Sequence, residues 1–146
     1  MQTNSKISPY QQGAFSPHPN AWRRVEEYQH PSLCARFAEK YGMSLEQANS
    51  VFMEMKRFLY VAMISQEPCS PSRVVDDMWH EFICHTVHYR FFCNDFNGEF
   101  IDHTPSDKPE LEGYIRTKAL TEQIFGPLDE FAWPEPSLAN AGSCSC

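Results

Sequence analysis

Between Val75 and Phe92 apolar side chains return every three or four residues: Val75, Met78, Trp79, Phe82, Ile83, Thr86, Tyr89 and Phe92. Spacing of that kind gathers them on one face of a helix, because 3.6 residues complete a turn. The sequence therefore predicts one central helix over 75–92, with Trp79, Ile83, Thr86, Tyr89 and Phe92 facing the core. A second stripe, Ala48, Val51, Phe52, Met55, Phe58, Leu59 and Ala62, has the same period. Stretches of β-type alternation stay short, and no internal repeat is present. The expected fold is all-α: a compact orthogonal bundle of about five helices with loose N- and C-terminal arms, since amphipathic helices bury their stripes against one another.

Local signals set the boundaries. Residues 1–19 mix Gln, Asn, Ser, Pro and Gly and read as a flexible arm, with Tyr10 and Phe15 as its only anchors. The helical domain spans 20–126. Asn20 is placed to cap a first helix that ends before Pro31, and Ser32 to cap a second that Gly42 stops. Ser44 with Gln47 has the pattern of a capping box for the third. Ser70-Pro71-Ser72 opens the fourth, with proline in its first turn. Ser106 or Asp107 opens the fifth, which would bury Leu111, Tyr114, Ile115, Ala119 and Ile124 and close at Gly126-Pro127. Residues 127–146 form a Pro-rich tail ending in Cys-Ser-Cys, from which Phe131 and Trp133 could dock on the body.

Composition then excludes several classes. The 146 residues carry a formal charge of −7, with Lys and Arg scattered. Nucleic-acid binding needs a basic patch and is not expected. The longest apolar run, Phe58 to Ile64, is far short of the roughly 20 residues of a membrane span. The opening MQTNSKISPYQQ lacks the apolar core of a secretory signal, so the expected location is cytoplasmic and the six cysteines are expected to be reduced. Cys34, Cys69, Cys84 and Cys93 then act as small apolar residues. Cys144 and Cys146, on a short tail, are not expected in the core.

Chemistry concentrates on the 75–105 stretch. Asp76, His80 and Cys84 stand at i, i+4 and i+8 on one helical column, while Asp77, Glu81, His85 and His88 occupy a more exposed one. Side chains four apart on a helix can share a divalent ion, and zinc accepts imidazole, thiolate and carboxylate at tetrahedral positions. Gly98 permits a reversal that returns His103 to the same helix. The candidate metal set is Asp76, His80, Cys93 and His103, with Cys84 as the alternative to Cys93. The same residues admit a structural reading, in which His80 bonds the Asp76 carboxylate and His103 caps its loop. No Gly-rich phosphate loop, nucleophile elbow, His-Glu-x-x-His or Cys-x-x-Cys is present, so no catalytic residue follows from motifs.

Lys56 to Ala62 (KRFLYVA), Val75-Asp76-x-x-Trp79-His80, Ile83, Thr86, Tyr89, Phe92-Cys93, Gly98, Phe100-Ile101, His103 and Pro105 together resemble the glycine-rich domain-containing protein-like family. Its members include bacterial single-domain proteins and longer plant and fungal chains. The resemblance covers roughly residues 20–125 and implies that these positions act as a set. Many relatives have a second histidine two residues after the first; this chain has Phe82 there. The resemblance implies no biochemical activity. Three classes stay open: a helical interaction or regulatory module with a protein partner, a zinc-type metal-binding protein centred on His80 and His103, and a metal-dependent or acid–base enzyme using Asp76, His80 and His103.

Overall fold

The computed structural model describes residues 19–146. The expected arm of residues 1–19, with Tyr10 and Phe15, therefore falls outside the described residues except for Pro19, and so does the capping role of the Asn20 side chain. Six helices are found among the described residues: α1 (Pro19–Glu27), α2 (Pro31–Tyr41), α3 (Leu45–Ile64), α4 (Arg73–Cys84), α5 (Thr86–Asn97) and α6 (Leu111–Phe125). Two two-residue strands, β1 (Thr104–Pro105) and β2 (Cys144–Ser145), pair antiparallel. The all-α class holds. None of these helices is long and apolar enough to cross a membrane.

α3 is the axis of the bundle, packed by α1, α2, α4 and α6. Ser44 and Gln47 form the reciprocal capping box that starts it. Its buried face holds the expected stripe apart from Ala62, which is partly buried, and also two charged residues, Glu54 and Lys56. Lys56 donates to the carbonyls of Glu26 at 2.6 Å and Tyr28 at 2.7 Å, closing the end of α1. Burial pulls its ammonium down to about 8.

The single helix expected over 75–92 is two helices. The chain breaks at His85, whose φ −87° and ψ 69° are not helical. Its imidazole contacts the Glu81 carbonyl at 3.0 Å, at the end of α4 where a helix lacks amide donors. The gain is tertiary. Trp79 Nε1 donates to the Tyr89 hydroxyl at 3.0 Å; ten residues of straight helix would separate them by about 15 Å. Folding α5 back also brings Tyr89 to 5.1 Å and Phe92 to 5.3 Å from the Phe82 ring, centroid to centroid. Thr86, expected in the core, opens α5 in solvent instead, and Ile83 is only half-buried. Trp79, Tyr89 and Phe92 are core residues.

Other boundaries also shift. His30, not Ser32, caps α2, its Nδ1 accepting from the Leu33 N–H at 3.2 Å. Ser72 caps α4, leaving Pro71 outside. α6 starts at Leu111, without the side-chain cap expected from Ser106 or Asp107. It buries Gly113, Tyr114, Thr117 and Thr121, while Ile115, Ala119 and Ile124 are exposed. The inward face is small and polar because the α3–α4 connection lies against it. Ser70 N–H donates to Thr117 Oγ1 at 2.9 Å, and a Cβ at Gly113 would meet Ser70 Oγ at 2.6 Å.

The C-terminal segment is not a loose arm. Ala132, Trp133, Ala141 and Cys144 are buried. Trp133 lies parallel to Tyr114 and donates from Nε1 to Glu54 Oε1 at 2.8 Å. Beyond it the chain runs as a strap over the start of α4, with Arg73 N–H donating to the Asn140 carbonyl and Gly142 N–H to that of Pro71. Gly142 permits this close passage: a Cβ there would lie 3.0 Å from the Pro71 carbonyl and 3.1 Å from Asp76 Cβ. Small side chains and backbone hydrogen bonds hold this segment down, and neither leaves an apolar period in the sequence.

The cap of α2 carries a pH prediction. With Nδ1 accepting, the His30 proton sits on Nε2 and is donated to His88 Nδ1 at 2.8 Å. Burial first, then the neighbouring His85 and His88, holds His30 below the ordinary 6.5. A lowered folded value means the unfolded chain binds the proton more tightly, so this contribution is complete above 6.5 and is lost as pH falls through the folded value. Urea midpoints at about pH 7.5 and about pH 5.5 should differ less in His30→Asn, which keeps a capping side chain without the titration. An equal difference in both proteins would remove His30 as a source of acid sensitivity.

Candidate functional site

Two turns and a loop build the site. Asp76 lies in the first turn of α4, where the helix dipole favours a carboxylate, and His80 follows one turn later on the same face. His103 arrives from the far end of α5. Gly98 closes that helix with φ 82°. The loop is then pinned at Ile101, whose carbonyl accepts from the Tyr89 hydroxyl at 2.6 Å and whose N–H meets Cys93 Sγ at 3.4 Å. With Ile101 fixed, His103 is held edge-on against Trp79, ring centroids 4.4 Å apart.

The three side chains converge on one oxygen. Asp76 Oδ1 lies 3.1 Å from His103 Nε2 and 3.4 Å from His80 Nε2. The two imidazoles stand 4.4 Å apart between centroids. One ligand atom from each residue falls within 4.8 Å of the other two, the only such group among the described residues. Asp76 is buried and His103 nearly so, while half of the His80 side chain is exposed. The cluster is thus anchored on its inner side and open to solvent on its outer one.

The remaining candidate ligands are elsewhere. Cys93 is fully buried beneath Ile101, where burial pushes its thiol up to about 11. It supports the loop that carries His103 and is not in the cluster. Cys84, at the exposed end of α4, is absent from it as well. Their place beside Asp76 is taken by a thiol that the sequence did not single out for this face. Cys144 Sγ donates to Asp76 Oδ1 at 2.8 Å, and burial followed by the Asp76 charge pushes that thiol far up, keeping it protonated. The strap reaches Asp76 because β2 pairs with β1 immediately after His103 and Ser106 N–H donates to the Ser143 carbonyl. Gly142, next to two small residues, is the one local sign of such an approach. All six cysteines are unpaired.

Fold and site together define a small helical domain with a two-histidine, one-carboxylate cluster on its surface, clamped by its own C-terminal segment. A family model described as UCP032817-like matches residues 21–114, and the chain belongs to that family. The matched span includes Asp76, His80 and His103 and stops short of the strap. No curated protein and no solved structure matches the chain.

Proposed function

We propose that the protein binds a divalent cation of the zinc type through Asp76, His80 and His103. The observation that carries this reading is the spacing of the donor atoms. Ligands held at about 2.0–2.1 Å around a tetrahedral ion stand about 3.3–3.4 Å from one another. The carboxylate-to-imidazole distances of 3.1 and 3.4 Å are close to that edge length. Binding replaces each Nε2–H with the metal and moves the ring proton to Nδ1. Three protein ligands leave a fourth position for water or a ligand on the solvent side, as in zinc sites that are not closed. Cys144 acts behind the ligands, its S–H orienting the carboxylate. The residues involved are those of the Asp-x-x-Trp-His and His-x-Pro resemblance to the glycine-rich domain-containing protein-like family, whose membership is part of this proposal.

The test is elemental analysis and zinc titration of protein purified without an affinity tag. One equivalent is expected in the wild type and none in His80→Ala combined with His103→Ala. Cys93→Ser should keep the full equivalent, whereas Cys144→Ala should weaken affinity about 10-fold by loosening Asp76. Stoichiometric zinc in the double variant, or none in the wild type, overturns the metal reading. The second outcome returns weight to a helical interaction module, which Val87, Phe91 and Phe100 favour as large apolar side chains exposed on and just beyond α5.

A further inference from the structure

Two residues beyond Cys144, Cys146 meets the α3–α4 connection. Cys146 N–H donates to the Cys69 carbonyl at 3.1 Å, and Cys146 Sγ lies 3.5 Å from that same oxygen. The two residues therefore run side by side as neighbouring strands do, with Cys69 Sγ 3.6 Å from the Glu67 carbonyl. Cys69 also lines a cleft of about 490 Å³ with Ile64, Arg116, Thr117, Ala119 and Leu120. That volume suits a small molecule. Glu67 lines the cleft too and pairs with the Arg116 guanidinium at 3.2 Å.

We propose that Cys69 and Cys146 are a redox-active dithiol that reacts reversibly with low-molecular-weight disulfides entering this cleft. Cys69 is the attacking thiol. The neighbouring Cys146 thiol, aided by Ser65, Thr117 and the Arg116 charge, brings it down to about 7 against the opposing effect of burial, while Cys146 is pushed up. A thiol that titrates near ambient pH attacks most effectively. The Cys69 thiolate attacks one sulfur of RSSR, forming a Cys69–SR mixed disulfide and expelling RS⁻, which takes a proton from solvent. Cys146 then gives up its proton and attacks the Cys69 sulfur, expelling the second RS⁻, which is protonated in turn. The protein dithiol loses two electrons and two protons, and RSSR becomes two RSH. Excess RSH reverses both steps. The product is a covalent tie between the strap and the α3–α4 connection, so the redox state of the pair sets how firmly the strap is held. This inference does not depend on the metal reading.

The experiment uses full-length, tag-free reduced protein, incubated with excess glutathione disulfide at neutral pH, acid-quenched and peptide-mapped by mass spectrometry. Wild type should accumulate the Cys69–Cys146 disulfide with little glutathione on either residue. Cys146→Ser should stop at the first step and accumulate glutathione on Cys69. Ala119→Trp, at the exposed mouth of the cleft, should slow Cys69 oxidation several-fold while leaving modification of exposed Cys84 unchanged. The dithiol is overturned if Cys69 stays unmodified in both wild type and Cys146→Ser while Cys84 reacts, or if wild type stops at a stable mixed disulfide. An Ala119→Trp rate equal to that of wild type rules out the cleft as the route.

Discussion

Removing residues 127–146 is expected to cost the protein its cooperative fold. The segment carries Trp133, fully buried, and losing a tryptophan of that kind costs about 3–5 kcal/mol. Its indole N–H also satisfies the buried Glu54 carboxylate, and stripping a buried acceptor of its donor adds about 1–3 kcal/mol. Together these approach the whole stability of a domain, about 5–15 kcal/mol. Removing only residues 134–146 spares Trp133 but strips the strap's hydrogen bonds to Pro71, Arg73, Ser106 and Glu110 and uncovers Asp76. That shorter truncation is expected to cost about 2–4 kcal/mol and to lower Tm by about 5–15 °C. Thermal unfolding followed by circular dichroism separates the two. If both proteins melt like the full chain, the strap does not contribute to the fold in solution.

Trp79→Ala is expected to be nearly as severe, at about 3–5 kcal/mol and a Tm fall of about 10–20 °C. Trp79 is fully buried and packs on Phe58, and its N–H begins the chain of bonds through the Tyr89 hydroxyl to the Ile101 carbonyl. The indole therefore holds α4, α5 and the His103 loop in one arrangement. Trp79→Phe restores most of the apolar area without the N–H and should cost about 1–2 kcal/mol. A Trp79→Ala protein with an unchanged melting temperature would mean that the indole lies outside the core in solution and serves binding.

How far these features could be read from the sequence depends on the range of the interactions behind them. The α3 stripe and its Ser44–Gln47 box are local, and the structure has both. The gathering of Asp76, His80 and His103 was legible too, because one helical turn and one glycine reversal determine it. The break at His85 was not. Apolar spacing continues through it, and its cause is the contact of Trp79 with Tyr89, which a straight helix forbids. Cys144 was hidden for a different reason. It joins Asp76 across 68 residues, and it is buried by the fit of a small strap rather than by an apolar pattern. Glu54 resembles it in this respect, since its partner Trp133 lies 79 residues away. Such pairings leave no local trace in either partner.

That long separation also governs the order in which the molecule is made. The α1–α5 bundle is built from nearby helices and can begin to pack while the chain is still emerging from the ribosome. Asp76 at that stage faces water, without Cys144 beside it and without the turn of chain around Gly142 above it. Only after residues 140–146 have been made can the strap close over α4 and reach Cys69. The cluster is therefore completed after the α1–α5 helices that carry it, and a chain stalled before residue 140 presents those helices around an unfinished site.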